Sequence, residues 1–308
     1  MDPLYIKTPI FESRTMSQIL GGAVFLKMEC YQPTGSFKIR GVGALCQEWV
    51  AAGKKHLVSS SGGNAGYATA YAGRKLGVAV TVFVPQGTHQ IYIDAMNAMG
   101  AKVTVVGKVW DEANEVAMQF CQSIDGGFVP PFDHPTIWAG NSTLMDEVVT
   151  QMEKPDAIVV AVGGGGLSCG ILQSLHRQGW QQIPLITVEP EGAAALKVSL
   201  EANRLTTLTS IHTIIGTLAT KRVSEEIFNW RCKHHLIPLT VSDRQAVLAC
   251  RRFVDDQRVL VEPACGAALA IIYDRVEILR DFKRILVIVC GGIGMSIDLL
   301  TEYLKKFT

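Results

Sequence analysis

The sequence predicts an α/β protein with two open, mostly parallel twisted sheets and helices on both faces. Three observations carry that expectation. Short apolar runs alternate with helical segments from residue 56 onward, and several of those segments end on glycine, the pattern of βαβ units and so of parallel strands. The alternation breaks at Gly126-Gly127 and Pro130-Pro131 and resumes after Pro155, which gives two such sets. With 308 residues, 48% hydrophobic and 19% charged, the chain is too long for one small core and apolar enough for two buried sheets.

Taken in order, residues 24–29 read as a strand. Gly35 and Ser36 break it, Ser36 is placed to cap a helix ending near Gly53, and Ile39, Val42, Leu45, Trp49 and Val50 recur at roughly helical spacing. Strands follow at 56–59, 78–84 and 102–106, and helices at 64–76, 88–99 and 110–123, with Gly77 and Gly100 closing the first two helices. A helix over 136–152 marks the crossing between domains. Beyond it come strand 157–162, a glycine run, a helix to about residue 178 and strand 185–189. Residues 204–220 are rich in Thr and irregular, so they receive no element. Ser242 and Gln245 have the spacing of a capping box ahead of a helix to about residue 257. A helix after Pro263, strand 284–290, Gly291-Gly292 and a last helix complete the chain.

The net charge is +1, from 29 basic and 28 acidic residues, and no polybasic run is present. Nucleic acid and anionic membrane are therefore poor partners, and small-molecule chemistry is expected. The eight cysteines are scattered without a Cys-x-x-Cys and read as reduced thiols. The first nine residues lack a basic-then-apolar leader and no apolar run is long enough to span a bilayer, so a cytoplasmic location is expected. His234-His235 has neither helical nor strand ligand spacing, which gives no basis for a zinc site.

Ligands of open parallel sheets bind beyond the carboxyl ends of strands, and the unusual compositions fall there. Lys38 would stand in the first turn of its helix, where the dipole disfavours a cation. In a dry site its pKa would fall and leave a nucleophilic amine; otherwise it is an ordinary surface lysine. Gly163-Gly164-Gly165-Gly166 lies between a strand and a helix, either as a phosphate cradle of bare backbone N–H groups or as a tight turn that needs small residues. It does not match G-x-G-x-x-G, and no G-K-[ST] occurs. The segment from Ser59 to Gly66 is dense in hydroxyls and exposed amides, which suits a carboxylate or simply caps a helix. Cys290 ends an apolar strand ahead of two glycines, as a thiol facing the cleft or as a core residue.

Together Ser36-Phe37-Lys38-Ile39-Arg40-Gly41, Ser60-Ser61-Gly62-Gly63-Asn64-Ala65-Gly66, Gly163 to Leu167, Val261-Glu262-Pro263-Ala264-Cys265-Gly266 and Cys290-Gly291-Gly292 resemble the pyridoxal-phosphate enzymes of fold type II, the tryptophan-synthase-β type. Among these the match is nearest to the L-serine/L-threonine dehydratases, in their serine-dehydratase-like branch. The resemblance implies that Lys38 forms the Schiff base with pyridoxal 5'-phosphate and later removes the Cα proton. It implies that Phe37 packs on the ring, Asn64 contacts the ring oxygen, and Gly163, Gly164, Gly165, Gly166 and Leu167 hold the phosphate. Ser61, Gly62, Gly63, Asn64 and Ala65 would grip the substrate carboxylate, Cys290 would face the pyridine nitrogen, and Glu189 would help to hold a monovalent cation such as potassium. The implied reaction is β-elimination from L-serine and/or L-threonine to pyruvate or 2-oxobutanoate plus ammonia. Alternatives are β-replacement or racemisation on another β-substituted amino acid, or a cofactor-binding protein with little turnover. A homodimer is implied, with a large cofactor-binding domain from residues 1–38 and 139–308 and a small domain from 39–138.

Several positions depart from the family pattern. His212 and Thr213 look foreign to their segment, and Ile214 aligns near a small residue covering the second ring face. Gly294 stands where relatives commonly carry Asn; Gly62 is within the family, whose members carry Ala or Gly there, and leaves more room than Ala. The departures gather on the substrate side, so the preferred amino acid is left open.

Overall fold

The computed structural model describes residues 1–307; Thr308, the last residue of the expected large domain, lies outside them. From the amino terminus run β1 (Ile10–Glu12), α1 (Arg14–Leu20), β2 (Ala23–Met28) and α2 (Lys38–Ala51). Next come β3 (His56–Ser59), α3 (Asn64–Leu76), β4 (Ala79–Val84), α4 (Gln90–Ala98), β5 (Lys102–Val105), α5 (Trp110–Ser123) and β6 (Gly127–Val129). Helix α6 (Pro135–Gln151) leads to β7 (Ala157–Ala161), α7 (Gly166–Arg177), β8 (Leu185–Pro190), α8 (Ala195–Glu201), α9 (Glu225–Asn229) and β9 (Leu236–Val241). The chain ends with α10 (Asp243–Gln257), α11 (Pro263–Tyr273), β10 (Arg284–Val289) and α12 (Ile297–Phe307).

These strands make two mostly parallel sheets with helices on both sides. One has the order β5-β4-β3-β6, all parallel. The other has the order β1-β2-β10-β7-β8-β9, in which only β1 runs antiparallel, against β2. Strands covered on both faces lose the period-two alternation. All of β7 is buried, as is β10 after Arg284, and Leu286 pairs with Phe25 on one side and Ile158 on the other.

Three strands escape the sequence pattern. Both β1 and β6 have only 3 residues, and β6 begins at Gly127, inside the stretch expected to be an interruption. Strand β9 carries Pro238, which a sheet tolerates because β9 lies at its edge. The capping box at Ser242 and Gln245 forms in both directions, and Gly77 closes α3 in a left-handed conformation. The expected Ser36 cap does not form. The N-cap of α2 is Phe37, without a side-chain cap, because Ser36 is held in an antiparallel bridge with Gly291 and Phe37 N donates to Cys290 O.

Helix α6 packs closely on both α2 and α7. A Cβ on Gly41 would lie 2.5 Å from Ile137 O, one on Gly140 2.5 Å from Arg40 O, and one on Gly170 2.7 Å from Trp138 O. Backbones thus meet directly. A buried ionic network pins the start of α2 to the larger sheet: Arg40 pairs with Glu29 and Glu147, each at 2.7 Å, and Lys27 pairs with Glu147 at 2.6 Å. The hydroxyl of Thr8 donates to Glu29.

Candidate active site

The loops that follow β3, β7 and β10 meet at the carboxyl ends of their strands, and Lys38 opens α2 beside them. Its amine donates to Pro131 O and lies 5.3 Å from the centroid of the Phe37 ring. Burial pushes its pKa from 10.5 down to about 8, against a smaller upward pull from Cys290 and Glu262. The next residue, Phe132, packs under the glycine run, so Pro131 and Phe132 connect the amine to that loop.

Three glycines of the run leave no room for a side chain. A Cβ on Gly164 would stand 2.3 Å from the Phe132 ring, one on Gly165 2.5 Å from Ile227, and one on Gly166 2.5 Å from Phe132 O. Gly165 also has φ of 94°, a left-handed conformation that disfavours side chains. The amides of Gly166 and Leu167 then begin α7, whose first N–H groups have no partners within the helix.

In the loop after β3 the hydroxyls divide. Ser59 donates to Val129 O at 3.0 Å and Ser60 to Asn114 Oδ1 at 2.6 Å, so both are used within the smaller sheet and its helices. Ser61 Oγ accepts from Gly63 N at 3.3 Å and is partly exposed, as are Gly62 and Gly63, whereas Ala65 is buried in the first turn of α3. Asn64 is clamped: Nδ2 donates to Glu262 Oε1 at 2.8 Å, and Oδ1 accepts from Ile293 N at 3.1 Å.

Glu262 lies in a motif of the family resemblance that assigns it no role. In the structure it is fully enclosed, just ahead of α11, and accepts from Asn64, Tyr92 OH (3.0 Å), Thr217 Oγ1 (3.1 Å) and Gly294 N (3.3 Å). Burial raises its pKa while these donors work to lower it. Its signal was available, since it is the only charge in the run from Val259 to Tyr273. Tyr92, Thr217 and Phe132 gave no such signal.

Cys290 is buried, with its sulfur 3.4 Å from that of Cys265, and Cys265 Sγ also accepts from Gly291 N at 3.0 Å. Burial holds the Cys265 thiol far above its ordinary pKa. Glu189 ends β8 away from solvent, with its two oxygens accepting from Leu196 N at 2.7 Å and Lys197 N at 2.8 Å at the start of α8. Burial raises its pKa to about 7. The unusual segment is fastened on both sides: His212 N donates to Gly192 O, while Thr213 Oγ1 and Ile214 N donate to Asp243. Ile214 is half-buried against the core of the larger sheet.

The family model described as "Pyridoxal-phosphate dependent enzyme" matches residues 1–291. An L-serine dehydratase/L-threonine deaminase from Bos taurus is 43% identical over 314 residues, covering 99% of this chain and 96% of that protein. A serine dehydratase-like protein from Homo sapiens is 43% identical over 304 residues, covering 94% of this chain and 91% of that protein. The crystal structure of a fungal L-serine ammonia-lyase from Rhizomucor miehei matches with a TM-score of 0.95 and 35% identity, covering 100% of both chains.

Proposed function

The chain belongs to the family of pyridoxal-phosphate dependent enzymes, and from that premise we propose that it is an ammonia-lyase acting on L-serine and/or L-threonine. The products are pyruvate or 2-oxobutanoate plus ammonia. One observation carries the reading: a lysine whose pKa burial lowers to about 8 is joined through Pro131 and Phe132 to a glycine run that opens a helix.

The residues fit the cofactor. Gly163 to Leu167 offer the space and backbone amides for its phosphate at the start of α7, Phe37 an apolar surface for its ring, and Lys38 the amine that attaches it. When bound, pyridoxal phosphate supplies an electron sink that acidifies Cα of the substrate. Lys38 is the base that takes the Cα proton, because a desolvated amine is readily neutral near pH 8. Ser61 and the amides of Gly62 to Ala65 bind the substrate carboxylate, aided by the start of α3. The clamp from Glu262 and Ile293 N fixes the Asn64 amide, whose second Nδ2–H would be the donor for the ring oxygen. A thiol at Cys290, in place of a carboxylate, leaves the ring nitrogen without a strong acid partner.

The same proposal includes a monovalent cation such as potassium beside Glu189, a homodimer, a cytoplasmic location, and the division into residues 1–38 and 139–308 against 39–138. Support for the division is that the four-stranded sheet draws only on residues 56–129, while both chain ends build the other. Among the described residues no helix is long and apolar enough to cross a membrane, and all eight cysteines are free thiols.

The test is 2-oxo acid release from cofactor-loaded protein with L-serine and then L-threonine, in potassium and in choline buffers, with Lys38→Ala as the blank. Release by the native protein alone is expected, with Glu189→Gln removing any preference for potassium. Absence of release from both substrates would sink the ammonia-lyase reading. Equal release in both buffers would remove the cation.

A further inference from the structure

Tyr92 and Glu262 belong to different halves of the molecule, yet the phenol of Tyr92 on α4 donates to Glu262 Oε2 ahead of α11 at 3.0 Å. The same oxygen accepts from Gly294 N at 3.3 Å. This approach needs residue 294 to lack a side chain, because a Cβ there would lie 1.9 Å from the phenol oxygen. Gly294 is not among the glycines with positive φ, so space, not backbone conformation, is what glycine provides here.

The ring of Tyr92 also closes on the loop after β3. A Cβ on Gly63 would lie 4.0 Å from Tyr92 Cζ and 3.6 Å from Thr217 Cγ2, and Thr217 itself donates to the other oxygen of Glu262. A buried ring is thereby fixed at its tip, with Gly294 beneath its hydroxyl and the loop at Gly63 within van der Waals reach of an added methyl group. Such a wall cannot swing away without leaving a buried carboxylate short of a donor.

We propose that Tyr92 is the specificity-determining residue of this cleft, its phenol anchored on Glu262 over Gly294 so that the site admits a hydroxymethyl side chain and discriminates against bulkier β-substituents. The inference rests on the ammonia-lyase reading, in which Gly63 borders the bound amino acid. L-serine and L-threonine differ by one methyl group, and one such group against a packed wall is worth roughly tenfold or more in kcat/KM.

The experiment compares the native protein with Tyr92→Phe, Tyr92→Ala, Gly294→Ala and the Tyr92→Ala/Gly294→Ala double variant. The ratio of kcat/KM for L-threonine to that for L-serine is measured in each. Dissociation constants of both amino acids are taken in parallel from the change they cause in the visible absorbance of cofactor-loaded protein. Tyr92→Ala should raise the ratio about tenfold, mainly through KM for L-threonine. Tyr92→Phe, which keeps the ring and the fold but frees its tip, should move it several-fold in the same direction. Gly294→Ala should displace the phenol and raise the ratio, yet add nothing once Tyr92 is Ala, since the two positions act on one contact. A ratio unchanged in both Tyr92 variants overturns the proposal, as does a Gly294→Ala effect that persists undiminished in the double variant. If the native protein turns over neither amino acid, the ammonia-lyase reading fails, and the binding ratios still decide for or against Tyr92.

Discussion

Lys38 illustrates how a single residue takes its chemistry from its surroundings. An exposed lysine stays protonated well above neutrality, whereas desolvation at the start of α2 disfavours the charged form and brings the amine to about 8. Uptake of pyridoxal phosphate by cofactor-free protein should therefore speed up as pH rises through about 8 and level off above it. The rise follows the neutral amine, which is the nucleophile. Because the Glu262 carboxylate pulls the lysine pKa upward, Glu262→Gln should shift that midpoint downward. A stopped-flow rate profile still climbing at pH 10 in the native protein would show that Lys38 is not desolvated.

At the scale of an element, the glycine run and α7 act as one piece. The run lets Phe132 sit directly beneath the backbone, and the helix then presents its free N–H groups above it. Gly164→Ala would press a methyl group into the Phe132 ring from 2.3 Å, an overpacking that costs about 1–3 kcal/mol. It should also weaken cofactor binding at least about tenfold, the equivalent of one misplaced charge-assisted hydrogen bond. Gly163→Ala, whose nearest neighbours stand at 3.2 Å, should do less of both. Calorimetric titration of the cofactor-free variants with pyridoxal phosphate measures the difference. Equal affinities in Gly164→Ala and the native protein would rule out the cradle.

Across the whole molecule, the network of Lys27, Glu29, Arg40 and Glu147 ties the helix that begins at Lys38 to strand β2 and helix α6. Arg40, Lys27 and Glu29 have no exposed surface, so removing one partner leaves another charge buried without compensation. Glu29→Gln or Arg40→Met should lower stability by about 3–5 kcal/mol, with little response to salt. By contrast Lys54 and Asp125 pair at the surface, where the Asp125 side chain is 90% exposed, and Lys54→Ala should cost less than about 1 kcal/mol. Urea denaturation of the two sets separates these outcomes. A loss below about 1 kcal/mol in Arg40→Met would mean that the network contributes little.

Much of the fold was legible because its signals are local. Strand β7, the glycine run and α7 follow one another within 157–177, and the loop after β3 joins its strand to α3 in the same way, so apolar periodicity and turn chemistry identify them without knowledge of the partner. Lys38 stands out by its place in the first turn of a helix, against the dipole. What the sequence could not decide depends on distant segments: the cap at Ser36 lost to a bridge with Gly291, the short strands β1 and β6 that exist only through their neighbours, and the meeting of Tyr92, Thr217 and Gly294 on one carboxylate. Local propensity determines which segments become strands and helices, since each residue's preference is set by its near neighbours. Tertiary packing alone decides which side chains share a buried site, because enclosing Glu262 requires donors from elements up to 198 residues away along the chain.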